Sequence, residues 1–155
     1  MVDVFDRQTR SRVMARIRSK NTSPEVLLRS YLHGKGLRFR LHVPELPGRP
    51  DIVLPRYRVA VFVHGCFWHR HRGCALAATP GSNRAFWKRK LEGNRARDEG
   101  QIAELLSAGW RVAVFWECGA RKGVADPKAL SALEKWVFGG GAYKEFPVSG
   151  KRASS

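Results

Sequence analysis

Residues Pro50 to His64 read PDIVLPRYRVAVFVH, two apolar runs with a turn between them. The runs, PDIVL from Pro50 and RVAVFV from Arg58, are short and rich in β-branched residues, the composition of strands. Pro55 and Arg56 fall at a tight turn, which makes the two runs an antiparallel hairpin. In such a hairpin the head of the first strand lies beside the tip of the second. Asp51 therefore meets His64 at one edge of a sheet.

Working outward, RFRLHV from Arg38 reads as a further strand before the hairpin, and RVAVFWE from Arg111 as one after it. SPEVLLRSYLHGKG is a helix: Ser23 can cap it, Pro24 takes the first position, Glu25 lies in the first turn, and Gly36 ends it. Its apolar set is Leu27, Leu28, Tyr31 and Leu32. Before it, TRSRVMARIRSK from Thr9 to Lys20 spaces Val13 and Ile17 one turn apart among basic residues, the pattern of a basic amphipathic helix. FWKRKLEGNRARDEGQIAELLSAGW is helical, with a break or bend expected near Gly93 and a stop at Gly109, and PKALSALEKWVF is a closing helix begun by Pro127. The order α, β, β, β, α, β, α predicts an α/β protein with a central mixed β-sheet flanked by helices. Residues 1–138 read as one domain, and the Gly- and Ser-rich stretch 139–155 as a flexible tail.

The chain has 155 residues, enough to bury roughly 70% of the surface its unfolded form exposes. With 29 Lys and Arg against 13 Asp and Glu, its formal charge is +16, which points to a polyanionic partner. The longest apolar runs, VAVFV and VAVFW, are too short to cross a bilayer, and MVDVFDRQTR is no signal peptide. A cytoplasmic location is expected. Three cysteines do not make a disulfide framework, and metal ligation is the better use for them.

Directly after the hairpin comes HGCFWHRHRGC, residues 64 to 74. Cys66, Cys74 and a histidine lie within nine residues, and Cys118 ends the strand that follows the long helix. Three thiolates and an imidazole are the donor set of a closed structural zinc site, with small buried hydrophobes as the alternative use of the cysteines. On spacing alone, His69 and His71 both fit as the fourth ligand. Asp51 and His64 suit a hydrolytic magnesium site, where few protein ligands leave room for water and phosphate; an ordinary turn aspartate is the alternative. Glu25 suits the helix dipole, and if it reaches His69 it would fix that imidazole as a general base.

TRSRVMARI, LPGRPD, FVHGCFWHRH, NRARD and GWRVAVFWEC together resemble the very short patch repair (Vsr) DNA mismatch endonucleases, from about Asp3 to Trp136. The resemblance implies a restriction-endonuclease-like fold and a nick 5′ to the thymine of a G:T mismatch in double-stranded DNA, the lesion left when 5-methylcytosine deaminates. It implies Asp51 as magnesium ligand with the main-chain carbonyl of Val63, His69 as general base supported by Glu25, and His64 as a second catalytic histidine. Cys66, His71, Cys74 and Cys118 become the zinc set. Phe67, Trp68 and Trp87 become a wedge that enters the weakly stacked mismatch. Arg10, Arg16 and Met14 of the basic helix, with Asn94 and Arg97, become DNA contacts. Mismatch-repair proteins are possible partners, and one-strand cutting suits a monomer. Two features depart from the family pattern: Val63 stands where relatives can carry Thr, and Gly73 lengthens the spacing between the zinc histidine and cysteine. The acid-x-lysine of the wider fold is also missing, its place taken by Phe62, Val63 and His64. The competing readings are a nuclease of this fold with another substrate and a zinc-stabilised DNA-binding protein without catalysis.

Overall fold

The structure, a computed structural model, describes residues 23–120 and 126–147. The basic segment carrying Arg10, Met14 and Arg16 lies outside the described residues. Helix α1 spans Ser23–Gly34, and strand β1 is the short pair Arg40–Leu41. The hairpin is present as read: β2 is Ile52–Leu54, a single 3₁₀ turn covers Pro55–Tyr57, and β3 is Val59–His64. Arg58 closes the turn in a left-handed conformation, φ 54°, with its N–H donating to the Pro55 carbonyl at 3.1 Å. Ile52 pairs with Val61 and Leu54 with Val59, so Asp51 lies across from the end of β3.

Helix α2 spans Arg84–Ser107 and β4 spans Arg111–Trp116. Of the break or bend expected near Gly93, the break is absent: Gly93 sits inside this continuous helix on its exposed face, with nothing packed against it. A glycine there costs about 1 kcal/mol relative to alanine, too little to break 24 residues of helix. Gly109 does end it: with φ 90° it lets Trp110 N–H reach the Leu105 carbonyl at 3.0 Å while its own N–H reaches Leu106 at 3.1 Å, a Schellman closure. The chain then runs straight into β4, parallel to β3 over all six residues from Val59↔Arg111 to His64↔Trp116.

Helix α3, Pro127–Phe138, is capped by Asp126, whose carboxylate accepts from Lys128 N–H at 3.0 Å. The expectation of a frayed tail fails for residues 143–146. Tyr143–Phe146 form β5, parallel to β4, and complete a five-stranded sheet in the order β1-β2-β3-β4-β5. Phe146 is fully buried there. Burying a phenylalanine is worth about 1.5–3 kcal/mol, which with the β4 pairing offsets the flexibility of the glycines before it.

Alternation along β3 sends its side chains to two cores. Val59 and Val61 pack with Leu28, Leu32, Phe115, Leu133 and Phe146 beneath α1 and α3. Ala60 and Phe62 pack with Leu105, Val112, Val114 and Trp116 beneath α2. His64 and Trp116 therefore emerge together at the tips of β3 and β4, on the α2 side. No helix among the described residues is long and apolar enough to cross a membrane.

Candidate active site and metal centres

Three clusters of metal-binding side chains converge at this end of the sheet: Cys66, His71, Cys74 and Cys118; His64, His69 and Asp98; and Glu25, His42 and Asp51. Gly48 of LPGRPD sets up the approach to the third. Its φ of 78° is left-handed, and a Cβ would come within 2.9 Å of Gln101 Oε1 and 3.0 Å of the Phe62 ring, so only glycine fits. The turn it makes delivers Asp51, whose Oδ2 accepts the Val63 N–H at 2.7 Å. Asp51 is thus tied to the tip of β3. Its carboxyl is pushed up to about 7, first by burial, which outweighs the Val63 hydrogen bond, and then by the nearby Glu25 charge. A carboxylate so penalised gains from a cation, which is the fit a hard divalent ion requires.

His64 is buried and stacks on His69 with ring centroids 3.8 Å apart and planes 3° from parallel. Burial, then the charges of His69 and His71, hold His64 well below 6.5, so it is neutral at neutral pH. The carboxylate on His69 is Asp98, with Oδ2 2.5 Å from Nδ1. Glu25, expected in that role, lies against His42 Nε2 at 2.6 Å and accepts from Arg29 at 3.2 Å. A carboxylate on Nδ1 favours the tautomer that carries its proton there and leaves Nε2 as the acceptor.

Asp98 belongs to NRARD, and its neighbours on α2 hold the same loop. Asn94 Nδ2 donates to the Trp68 carbonyl at 3.1 Å, and Arg95 donates to the Arg70 carbonyl at 3.5 Å. Arg97 points to Asn94 Oδ1 at 3.3 Å and is exposed. A signal for Asp98 existed in the sequence: Leu91, Asn94, Arg95, Asp98, Ile102 and Leu105 follow helical spacing, and an acid on the inward stripe calls for a partner.

The four sulfur and nitrogen ligands lie within 4.8 Å of one another. His71, not His69, completes the set, with Nδ1 3.5 Å from Cys66 Sγ and 3.6 Å from Cys118 Sγ. An ion held tetrahedrally at about 2.0–2.1 Å from nitrogen and 2.3 Å from sulfur separates those atoms by about 3.6 Å. These two spacings are compatible with ligands on one ion. Hydrogen bonding to Cys66, then to His71, brings the Cys118 thiol down to about 4, while Cys66 is pushed up by the same pairing and by burial. Gly73, φ 69°, takes the extra residue between His71 and Cys74 into a left-handed turn.

Trp116, which the sequence reading did not single out, joins the centres. Its ring stacks on His71 at 4.1 Å and meets His64 edge-on at 5.2 Å, and its Nε1 donates to Glu145 Oε1 at 3.0 Å. Between the metal ligands, Phe67 and Trp68 are half-buried in the loop and lie edge-to-face, 5.0 Å between centroids. Trp87 meets them at 5.5 and 6.1 Å, and Phe86, half exposed, continues the row. These rings belong to neither buried core.

A family model for DNA mismatch endonuclease Vsr matches residues 2–76. DNA mismatch endonuclease Vsr of Escherichia coli strain K12 is 41% identical over 152 residues, 97% of each chain. The chain belongs to the Vsr family. Other relatives are nicking enzymes by name. Type II nicking enzyme V.XorIIP of Xanthomonas oryzae is 52% identical over 118 residues, 76% of this chain and 86% of that one. V.NmeAIP of Neisseria meningitidis is 45% identical over 137 residues, 88% of this chain and 97% of that one. The chain gathers its three clusters of candidate metal ligands near the tip of the β2–β3 hairpin, with Phe67 and Trp68 on the adjoining loop and Phe86 and Trp87 on α2.

Proposed function

We propose that this chain is a mismatch-specific nicking endonuclease of restriction-endonuclease-like fold, which cuts one DNA strand 5′ to the thymine of a G:T mismatch by magnesium-dependent hydrolysis. The observation that carries the chemistry is His69, its tautomer held by Asp98, standing beside the Asp51 cluster at one sheet tip. Asp51, with the Val63 carbonyl, would hold Mg²⁺, which when bound polarises the phosphate and stabilises charge on the leaving oxygen. His69 Nε2 takes the proton from the attacking water, and Asp98 stabilises the imidazolium that results. His64, neutral and stacked on His69, can donate or accept a hydrogen bond without adding a charge beside it. Glu25 contributes negative charge to the Asp51 side of the site rather than support to His69.

Zinc in the Cys66, His71, Cys74 and Cys118 set would anchor the loop that carries Phe67 and Trp68. With Trp87, these rings would enter the mismatch, where lost stacking is cheapest, and replace it at roughly 1–3 kcal/mol per base. Asn94 then acts by fixing the loop, while Arg97 and the N-terminal Arg10, Met14 and Arg16 would contact the duplex. The charge of +16 is consistent with the DNA partner, and a monomer in the cytoplasm suffices for a single nick. The deciding experiment digests G:T, other mismatches and paired duplexes side by side, with and without Mg²⁺. Nicking confined to G:T with Mg²⁺ is expected. Equal cutting of every duplex would leave a nuclease of different specificity, and no cutting would leave a DNA-binding protein.

A further inference from the structure

The mechanism above leaves two histidines unused, His33 in the last turn of α1 and His42. His42 follows β1 in a left-handed conformation, φ 47°, and its N–H donates to the Asp51 carbonyl at 3.0 Å. Backbone pairing thereby holds it beside Asp51. Its side chain is 16% exposed and brings Nε2 to 2.6 Å from Glu25 Oε2, yet this buried nitrogen makes no hydrogen bond among the described residues. The two atoms are close but not aligned as donor and acceptor. They lie side by side.

Two donor atoms side by side without a hydrogen bond between them can turn to one ion, although at 2.6 Å they must part slightly to do so. At metal–ligand distances near 2.1 Å, adjacent ligands of an octahedron stand about 3.0 Å apart and opposite ones about 4.2 Å. One ligand atom each from Glu25, His42 and Asp51 fall within 4.8 Å of one another, so small side-chain movements bring all three onto a common centre. Arg29 Nη1 lies 3.2 Å from the same Glu25 oxygen.

We infer that His42 is a protein ligand, with Glu25 and Asp51, of the divalent cation at this sheet tip, and that its imidazole makes the site prefer Mn²⁺ to Mg²⁺. The inference rests on the proposed role of Asp51 as a metal ligand. Mg²⁺ favours oxygen donors and keeps its waters, whereas an imidazole nitrogen is a better donor to first-row transition ions. The nitrogen that finds no hydrogen bond in the protein finds its partner in the metal.

Mn²⁺ is the probe, added to the 155-residue chain as purified and followed by electron paramagnetic resonance. Bound Mn²⁺ is expected to show coupling to a ¹⁴N nucleus in the native chain and to lose it in His42→Gln. That variant should also lose about tenfold or more in Mn²⁺ affinity, with a smaller change in Mg²⁺ affinity measured by competition. Bound Mn²⁺ without nitrogen coupling, or coupling that survives His42→Gln, overturns the inference. If His42→Gln does not fold, His33→Ala, His64→Ala and His69→Ala in the zinc-loaded chain, where His71 is occupied, decide: coupling retained in all three supports His42, and coupling lost in any one assigns the nitrogen elsewhere and overturns it. Asp51→Asn separates the two claims. Mn²⁺ binding that withstands Asp51→Asn removes Asp51 from the site and this inference with it, whereas binding lost in Asp51→Asn but unchanged in His42→Gln overturns the role of His42 alone.

Discussion

Replacing Asp51 by asparagine removes a charge that the fold holds at a cost. The amide keeps the shape and can still accept the Val63 N–H, which lies 2.7 Å from Oδ2. In the native chain the Asp51 carboxyl is raised from 3.8 to about 7 by burial. Because the folded form keeps its proton to higher pH than the unfolded form, Asp51 leaves stability untouched below about pH 4 and subtracts from it as pH rises from 4 to 7. The ceiling on that loss is about 4 kcal/mol, at roughly 1.4 kcal/mol for each factor of ten. Water at this half-buried site reduces it to about 1–3 kcal/mol. In metal-free buffer at pH 8, Asp51→Asn should therefore melt about 5 °C above the native chain, and the difference should shrink toward zero near pH 4.5. Added Mg²⁺ should raise the native melting temperature at pH 8, by about 2.7 kcal/mol of stabilisation at a hundred times its Kd, and leave the variant unmoved. Nicking should be lost. Thermal melts at the two pH values with a nicking assay test the whole chain of reasoning. Equal melting at pH 8, or a variant that nicks as well as the native chain, would refute it.

Asp98→Asn should lower nicking by about 10²–10⁴-fold while mismatch binding and melting temperature change little, because the His69 tautomer is lost and not the site; single-turnover nicking and a binding titration check this. Cys118→Ser, or stripping the ion with a chelator, should destabilise the fold by about 3–5 kcal/mol, roughly 10 °C in melting temperature, with zinc content falling in parallel. Trp68→Ala should weaken binding to G:T duplex by about 1–3 kcal/mol with a smaller effect on fully paired duplex, read by competition binding. Affinity should fall with salt at a logarithmic slope of about −5 if six phosphates are neutralised, measured from 50 to 200 mM salt.

Most of the framework is local and was open to sequence reading. The β2–β3 hairpin follows from β-branched runs either side of Pro55, and the end of α2 from Gly109, because strand and cap preferences depend on a few neighbouring residues. The strand β5 escaped for the opposite reason. Glycines and an alternation too short to read precede Phe146, and only a groove beside β4, built by residues more than thirty positions earlier in the chain, turns that segment into an edge strand. Gly93 misled likewise, since its helix penalty is small beside the packing of Leu91 and Leu105 that holds α2 to the sheet.

The site divides along the same line. Donor types and their spacing marked Cys66, Cys74 and Cys118, and the hairpin alone brought Asp51 to the Val63 N–H beside the tip of β3, since both rest on short-range geometry. Which carboxylate serves which imidazole could not be read that way. Asp98 reaches His69 across 29 residues, Glu25 reaches His42, and Trp116 joins His71 to His64, because helix α2, helix α1 and strand β4 arrive at one sheet tip from distant parts of the chain. Ligand chemistry is a property of residue type, but pairing is a property of where the packed cores leave each helix and strand. The sequence determined the first, and only the tertiary structure decided the second.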